Sequence, residues 1–426
     1  MDARASACWL VALSLVIGCG DNAAAPPGPP AYIASQAGDN QPAPVGTAVP
    51  IAPAVAVGDQ SGTPVPNVTV TFVVASGGGA VTGGNATTDA SGVATVGSWR
   101  LGPALGTNTL TVTASGSGIT GNPITFTARG TGCSNCWTTK ASMPTARSLL
   151  ASEEINGLVY ALGGLGAGTG VLATVEAYDP STDTWTPKAA MPTARAGLAV
   201  AAVNGILFAV GGQNGTGSLA AVEAYDPSTN TWTTKASMPT ARDGLAATAV
   251  NGILYAVGGQ SSVSGLILVT VEAYDPSTNT WTTKASMQTS RSGLGVTVLN
   301  GTVYAVGGSH AAVGDEAAVE VYDPGTDTWA TKASLSTPRA GLGVAVVDGI
   351  LYAVGGHTLS LGNVYEVATV EAYDPTTDTW TATASLPNPR ADMAATVSDG
   401  LVFAVGGVTG GSIVGTVTAY QPGLLR

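Results

Sequence analysis

Residues 222–242 read VEAYDPSTNTWTTKASMPTAR, and residues 271–291 repeat them as VEAYDPSTNTWTTKASMQTSR. The two stretches differ only at Pro239/Gln288 and Ala241/Ser290. A double glycine precedes each of these stretches. After the arginine that ends the stretch come an apolar run, an Asn-Gly pair and then the next double glycine. A pattern that returns at a fixed period of this size indicates an array of similar structural units.

The pattern occurs six times after Trp137. Both the double glycines and the arginines advance by 48, 47, 49, 48 and 51 residues. Each unit contains four short apolar or alternating stretches, and an Asn-Gly pair between the first two is the signal of a two-residue hairpin turn. The double glycines begin at Gly163, Gly211, Gly258, Gly307, Gly355 and Gly406, and the arginines are Arg147, Arg195, Arg242, Arg291, Arg339 and Arg390.

The double glycine, the tyrosine and the tryptophan of each unit closely resemble the kelch repeat. The resemblance implies a six-bladed β-propeller, which we place at residues 136–426. The last unit ends at Tyr420-Gln421-Pro422 without a tryptophan, whereas Cys136-Trp137-Thr138-Thr139 has no strands before it. We therefore expect this N-terminal strand to complete the sixth blade, because closure pairs strand edges that would otherwise be exposed.

The length of the unit varies in one place. The double glycine and the following valine are separated by 10, 9, 11, 10, 13 and 9 residues, so each insertion falls between the second and third strands. In kelch propellers this loop shares a face with the arginine-bearing connection, and partners bind there. A constant scaffold with one variable loop favours a binding surface. We therefore predict a partner contact on this face, including His310, His357, Leu359, Leu361 and Tyr365.

The six arginines are also candidates for this face. A guanidinium is a permanently charged fork of donors, and six of them around one axis could hold a carboxylate at the channel mouth. The alternative, which we favour, is structural pairing with glutamates of the third strands, with at least one arginine left free. Asp243 and Asp392 would further neutralise the mouth. The possible partners are Glu176, Glu223, Glu272, Glu320 and Glu371, and Thr418 takes that place in the sixth unit.

Two acidic residues distinguish the first unit. Glu153 and Glu154 stand where other units carry residues such as Ala201 and Ala202. Because the first strand lines the channel in kelch propellers, we expect one of the two to face the lumen. This is a pointer to a second candidate site.

No metal or cofactor site is predicted. His310 and His357 are the two histidines, and the His, Tyr and crosslinked Cys set of copper oxidases on kelch propellers is not matched. We expect Asp179 and Asp183 to shape hairpin turns rather than calcium loops.

Cys133 and Cys136 form a C-x-x-C pair at the junction before the repeats. A zinc site needs four ligands, and a second pair is missing. In an exported chain the two cysteines are expected to form a short-loop disulfide.

Residues 32–130 alternate apolar and polar residues between clusters of Gly, Pro and Asn, as in a β-sandwich. They also resemble the bacterial immunoglobulin-like domain of the intimin and invasin type, whose members act as rigid spacers or adhesive modules. We expect a spacer here, followed by a linker at 131–135. The matching pieces are Gly38-Asp39-Asn40-Gln41, Val57-Gly58-Asp59, Gly62-Thr63-Pro64-Val65-Pro66, Thr88-Asp89-Ala90-Ser91-Gly92-Val93-Ala94 and Trp99-Arg100-Leu101-Gly102.

The N-terminus has the features of an export signal. Arg4 precedes an apolar run too short to span a bilayer permanently, so residues 1–18 are expected to be removed. The run ends in Val16-Ile17-Gly18-Cys19, which resembles the bacterial lipobox and implies lipidation of Cys19. The Pro/Ala/Gly-rich residues 19–31 would then form a tether, so the chain would be anchored to the membrane without spanning it.

The composition limits the remaining possibilities. The 426 residues include 58 glycines and only 10% charged residues, which favours an all-β chain with many turns. The formal net charge of −12 would repel a phosphate backbone, so nucleic acid is excluded as a partner.

These observations predict an all-β, monomeric, non-catalytic protein of the bacterial cell envelope, on the outer membrane or cell surface, that binds a protein or glycan. One alternative is a carbohydrate-active enzyme of the sugar isomerase or lyase type, since kelch propellers host such activities. The scarcity of histidine and the lack of a unique acid/base cluster argue against it. The other alternative is a purely structural envelope protein.

Overall fold

The structure is a computed structural model that describes residues 26–102, 106–132, 135–310, 314–360 and 362–423. The predicted signal peptide, Cys19, Cys133 and Leu361 lie outside these residues. Within the described ranges strands are the only regular secondary structure, as the composition predicts, and no helix there could cross a membrane. The chain divides into two units, and the boundary follows residue 133.

The first unit has three sheets in its described part, with strand orders β1-β3-β7, β2-β10-β9-β4-β6 and β5-β8. Period-two alternation directs one side of each strand inward: in β9, Leu110, Val112 and Ala114 are buried between threonines. They join Phe72 and Trp99 in one hydrophobic core. The strands are β1 Tyr32–Ala37, β2 Gln41–Pro44, β3 Ala54–Gly58, β4 Thr69–Ser76, β5 Gly79–Thr82, β6 Asn85–Thr87, β7 Val93–Thr95, β8 Ser98–Leu101, β9 Gly106–Ala114 and β10 Ile124–Thr131.

The second unit begins with strands β11 Cys136–Lys140, β12 Arg147–Ser148, β13 Ala151–Ile155, β14 Leu158–Leu162, β15 Leu165–Gly166, β16 Gly170–Val171, β17 Val175–Asp179, β18 Thr184–Lys188, β19 Ala199–Val203, β20 Ile206–Val210, β21 Val222–Asp226, β22 Thr231–Thr234, β23 Ala246–Val250, β24 Ile253–Val257, β25 Gln260–Ser261, β26 Leu266–Ile267, β27 Val271–Asp275 and β28 Thr280–Lys284. It continues with β29 Gly295–Leu299, β30 Thr302–Val306, β31 Ser309–His310, β32 Gly314–Asp315, β33 Val319–Asp323, β34 Thr328–Lys332, β35 Gly343–Val347, β36 Ile350–Val354, β37 His357–Ser360, β38 Asn363–Glu366, β39 Val370–Asp374, β40 Thr379–Ala382, β41 Ala394–Ser398, β42 Leu401–Val405, β43 Val408–Thr409, β44 Ser412–Ile413 and β45 Val417–Gln421.

Six four-stranded antiparallel sheets, here blades 1 to 6, are formed by the described residues of this unit. The inner strands β13, β19, β23, β29, β35 and β41 contact one another in a closed cycle, so the blades form a ring. In blade 6, β11 pairs with β45 and places Trp137 opposite Tyr420. The N-terminal strand therefore completes the sixth blade, as predicted. From the inner strand outward the blades are β13-β14-β17-β18, β19-β20-β21-β22, β23-β24-β27-β28, β29-β30-β33-β34, β35-β36-β39-β40 and β41-β42-β45-β11.

The repeated motif links each blade to the preceding one. In blade 2 the hydroxyl of Tyr225 donates to Asn230 Oδ1 at 2.7 Å, and the same oxygen accepts from the backbone N–H of Ala189 at 2.8 Å. Trp232 Nε1 donates to the carbonyl of Ala189 at 2.9 Å. The carboxylate of Asp183 makes the equivalent bonds in blade 1, with Tyr178 and Ala141. Asp179 Oδ1 accepts from the N–H of Ser181 at 2.8 Å within the same turn, so Asp179 and Asp183 both stabilise the blade 1 hairpin, as expected.

The ring has two different faces. Gln213, in the loop between the second and third strands of blade 2, accepts at its carbonyl from the N–H of Ala196 at 3.0 Å, next to Arg195. The corresponding bond from Asp243 to Gln260 is present in blade 3. The variable loops and the arginine-bearing connections therefore share one face, called the loop face below. The opposite face, called the turn face, carries the Asn-Gly and Asp-Pro hairpins.

Candidate functional site

The six arginines lie inside the blades, and each is at most 1% exposed. In blade 3, Arg242 Nη2 donates to Glu272 Oε2 at 2.8 Å, and Nη1 donates to the carbonyl of Thr270 at 2.9 Å. The hypothesis of an exposed ring of guanidinium groups is therefore wrong, and structural pairing replaces it. Because each arginine ties together the second and third strands beside the double glycine, it fixes the base of a variable loop. The ion pairs among the described residues are Arg147–Glu176, Arg195–Glu223, Arg242–Glu272, Arg291–Glu320 and Arg339–Glu371.

Arg390 in blade 6 is the exception. Its Nη2 lies 3.4 Å from Thr418 Oγ1, and its Nη1 donates to the carbonyls of Ala404 and Thr416 at 3.1 and 3.2 Å. Within the described residues it has no carboxylate partner. It is nevertheless buried, and burial lowers its pKa to about 10. Thr418 therefore replaces the glutamate in the sixth unit, but Arg390 is buried and hydrogen-bonded, so the expectation that an arginine is left free is wrong.

A closed ring of six backbone hydrogen bonds surrounds the axis at the loop face. Each member lies two residues after an arginine, and its N–H donates to the carbonyl of the member before it at 2.7–2.9 Å. With the Leu or Met that follows each, the members line a cavity of about 100 Å³. The repeated Arg-x-Gly-Leu motif is a signal in the sequence that could have identified this ring. Its members are Leu149, Gly197, Gly244, Gly293, Gly341 and Asp392.

All six members have positive φ angles between 51° and 63°. Glycine adopts this conformation freely, but a leucine there is an outlier, and such strain concentrates at functional sites. Leu149, at φ 52°, is 36% exposed. The hydrogen bonds of the central ring are complete, but two of its six positions carry side chains instead of glycine. These are the exposed apolar side chain of Leu149 and, beside it, the carboxylate of Asp392.

A polar cluster of His357, Glu366 and Asp392 adjoins this interruption. A Cβ added to Gly341 would lie 3.0 Å from His357 Nδ1 and closer still to Asp392 Oδ1, so the two side chains meet over this glycine. His357 pairs with Glu366 across β37 and β38, and Glu366 Oε1 accepts from the N–H of Gly411 at 3.2 Å. Burial raises the pKa of Asp392 above its usual range; the charge of His357 opposes this shift and that of Glu366 adds to it.

The variable loops carry the exposed apolar side chains of the propeller. Tyr365 and Leu359 in the loop of blade 5 are 52% and 47% exposed. Asp315 in the blade 4 loop accepts from the N–H of Leu359 at 2.7 Å, so the two loops support each other. His310 lies at the base of that blade 4 loop, partly buried. Among the described propeller residues, every large hydrophobic side chain classed as exposed lies on the loop face: Leu149, Val263, Leu266, Leu359, Val364 and Tyr365.

The channel holds the two acidic residues of blade 1. Glu153 and Glu154 both line a cavity of about 450 Å³ whose other walls are Ser, Thr, Ala and Val side chains of the inner strands. Burial raises the pKa of Glu153 to about 7, and the neighbouring charge of Glu154 acts in the same direction. The N–H of Glu154 donates to Glu153 Oε1 at 3.1 Å. No Lys, Arg or His is among the described residues that line this cavity.

Metal-ligating groups are not assembled in the part of the chain that the structure describes. No set of three or more His, Cys, Asp or Glu residues there is arranged to hold a metal ion. Cys136 is disulfide-bonded. Its predicted partner, Cys133, lies outside the described residues.

Comparisons with known proteins agree with the geometry of the blades. Residues 203–389 match the family described as the calicin β-propeller domain, and residues 146–192 match the kelch motif. Beta-scruin of Limulus polyphemus is 46% identical over 48 residues, which are 11% of this chain and 5% of that protein. Spermatocyte protein spe-26 of Caenorhabditis elegans is 43% identical over 54 residues, which are 13% of this chain and 10% of that protein.

The chain therefore matches a tenth or less of the length of these relatives. The solved structure of YjhT superimposes with a TM-score of 0.60 and 18% identity, covering 67% of this chain and 97% of that one. This similarity concerns the fold alone. Taken together, the six closed blades and these matches show that the second unit is a β-propeller with similarity to the kelch motif.

Proposed function

We propose that the chain is a non-catalytic, lipid-anchored binding protein of the bacterial cell envelope, and that its propeller binds a protein partner through the loop face. The carrying observation is the position of the exposed apolar side chains. Monomeric proteins rarely leave contiguous apolar patches in water, and such patches mark interaction sites. On the described part of this propeller the exposed large apolar side chains lie on one face, in the variable loops of blades 3 and 5 and at Leu149 beside the axis.

A protein partner fits this surface better than a glycan. Four of the exposed side chains are aliphatic: Val263, Leu266, Leu359 and Val364. Their transfer from water onto another apolar surface lowers the free energy. A glycan presents hydroxyl groups that lose hydrogen bonds against such a surface. Tyr365 adds the kind of amphipathic aromatic side chain that is enriched in the hot spots of protein interfaces.

The features predicted for the N-terminal residues support the proposed location in the cell envelope. Residues 1–18 as a signal peptide, lipidated Cys19 and the tether at 19–31 would attach the chain to the envelope. The first unit would act as an immunoglobulin-like spacer, and its three sheets around a single core are compatible with that role. Burial of Trp99 and Phe72 in that core favours a rigid module.

A photocrosslinking experiment tests the binding function. A photoreactive amino acid replaces Tyr365 in the full-length chain on intact cells, and a matched control replaces Val73, which is 54% exposed in the first unit. We expect an adduct at position 365 whose digest contains peptides of a second protein, and no adduct at position 73. An adduct whose added mass is removed by glycosidases and whose digest contains no second protein would indicate a glycan instead. Equal crosslinking at the two positions would contradict a specific loop-face site.

A second candidate function rests on Glu153. A carboxyl with a pKa of about 7 in a cavity suits general acid/base chemistry at neutral pH, which favours the sugar isomerase or lyase alternative. Turnover of a sugar substrate that is lost in Glu153→Gln and retained in Tyr365→Ser would support it. A protein with neither turnover nor a crosslinked partner would fit the purely structural alternative.

A further inference from the structure

Blade 6 differs from the other five blades at the buried acidic position. In blade 3, Glu272 pairs across the sheet with Ala256, and in blade 6 Thr418 pairs in the same register with Ala404. The register shows that Thr418 occupies the position of the glutamate. Arg390 is retained while the glutamate is replaced, so the ion pair of the other blades cannot form in blade 6.

The carboxylates of the other blades have more than one donor. Glu176 accepts from Arg147 Nη2 at 2.7 Å and from the hydroxyl of Thr145 at 2.9 Å. In blade 5, Glu371 accepts from Arg339 and from the N–H of Ser336, at 2.9 Å in both bonds. The position of the carboxylate is therefore surrounded by donors from the arginine and from the segment just before it.

Threonine does not supply what the glutamate supplied. Its side chain is neutral and is shorter than a glutamate side chain, and its oxygen lies 3.4 Å from Arg390 Nη2. Arg390 is 1% exposed. A guanidinium stays protonated at neutral pH, and a buried charge without a counter-ion costs several kcal/mol. A counter-ion from solution would remove this cost.

We propose that blade 6 binds a small monovalent anion, of the size of chloride or formate, in contact with the guanidinium of Arg390 and beside the hydroxyl of Thr418. The anion takes the place that a glutamate carboxylate has in the other blades. Both side chains carry hydrogen-bond donors, and a threonine side chain fills less of this position than a glutamate side chain. Arg390 and Thr418 are only 1% and 2% exposed, so an anion from solvent would enter past Asn388, which corresponds to Thr145 and is exposed.

The site would stabilise the blade that closes the ring. Thr418 lies in β45, which also pairs with the N-terminal strand β11, where Thr139 faces it. An anion bound to Arg390 and Thr418 would link the segment before β41 to the central strand of this composite sheet. We therefore expect the melting temperature of the propeller to depend on the anion.

The test compares chloride with gluconate at constant ionic strength, because gluconate is too large for the site. We expect the melting temperature of the full chain to rise with chloride concentration, as for any ligand that binds the folded state. Thr418→Glu should melt higher in gluconate and lose the chloride response. The control Thr381→Glu, at an exposed position of β40, should keep it. A formate titration shows whether a small carboxylate is preferred to chloride.

Identical responses of wild type and Thr418→Glu, or no response of the wild type, would overturn the proposal. A second measurement does not depend on the folding of the variant. Crystals of the wild-type chain grown in bromide should show an anomalous peak in contact with the Arg390 guanidinium. Bromide peaks on the surface only would also overturn it.

Discussion

Leu149 and Asp392 are hydrogen-bonded neighbours in the central backbone ring: the N–H of Leu149 donates to the carbonyl of Asp392 at 2.8 Å. They are the two members of the ring that are not glycine, and they lie where blade 6 meets blade 1. Both have positive φ angles. The departure from the repeat is thus concentrated at one point of the loop face, beside His357 and the exposed loop of blade 5.

A substitution at Leu149 tests whether the backbone is strained at this residue. Asparagine tolerates a positive φ far better than leucine, so Leu149→Asn should raise the free energy of unfolding by about 1 kcal/mol. Urea denaturation measures the change. The matched control Gly244→Leu, at the equivalent ring position with φ 60°, should lower it by about 1–2 kcal/mol. A less stable Leu149→Asn protein would contradict the argument.

The pH dependence of stability tests the environment of Glu153. Its pKa rises from an ordinary value of 4.5 to about 7 in the folded chain, so the folded state binds the proton more tightly than the unfolded state. The stabilisation of the folded state by protonated Glu153 is therefore complete below pH 4.5, and it is lost as the pH rises towards 7. Glu153→Gln should raise the free energy of unfolding at pH 8 by about 1–3 kcal/mol. Denaturation at pH 5 and pH 8 checks this, and an equal effect at both pH values would refute it.

Ring closure predicts different results for two truncations. Deletion through Thr139 removes β11 except for Lys140, together with the 2.8 Å bond from Trp137 Nε1 to the carbonyl of Ala384. It exposes the edge of β45, so aggregation or a large loss of melting temperature is expected. Deletion through Gly132 leaves β11 in place and should be tolerated. Equal melting of the two truncated proteins would argue against closure by the N-terminal strand.

The proposed membrane attachment depends on Cys19. If this residue is lipidated, the wild-type chain should sediment with membranes, because acyl chains supply the anchoring free energy. Cys19→Ala should be released or remain unprocessed. Fractionation followed by immunoblotting distinguishes these outcomes. The same distribution for both proteins would remove the lipoprotein interpretation.

The strands of the propeller were predictable because they follow from local chemistry. Asn204-Gly205 specifies a turn that needs two positive φ angles, and the structure has φ 50° and 80° there. The missing tryptophan of the last unit and the isolated Trp137 predicted the composite blade. The number of repeats then gave the number of blades, since each repeat forms one sheet that must bury its faces against its neighbours.

Whether the arginine side chains point to the surface or into the blades was less predictable. A periodic arginine is compatible with an exposed ring and with internal pairing, and the choice depends on the approach of a glutamate about thirty residues away, as in Arg147 and Glu176. The central ring depends on bonds between residues of successive blades, such as Gly244 and Gly197. Because these contacts are not local, the sequence analysis did not find them, although the repeated Arg-x-Gly-Leu motif is a signal for them.

The most direct test of the binding proposal is the affinity of the full chain for the partner captured at Tyr365. The double variant Leu359→Ser, Tyr365→Ser should weaken binding at least about tenfold, since hot-spot side chains each contribute more than about 1 kcal/mol. Its melting temperature should match that of the wild type, because both side chains are exposed. Val73→Ser, the matched control in the first unit, should bind like the wild type. Unchanged affinity of the double variant, or a loss confined to Val73→Ser, would contradict a partner site on the loop face.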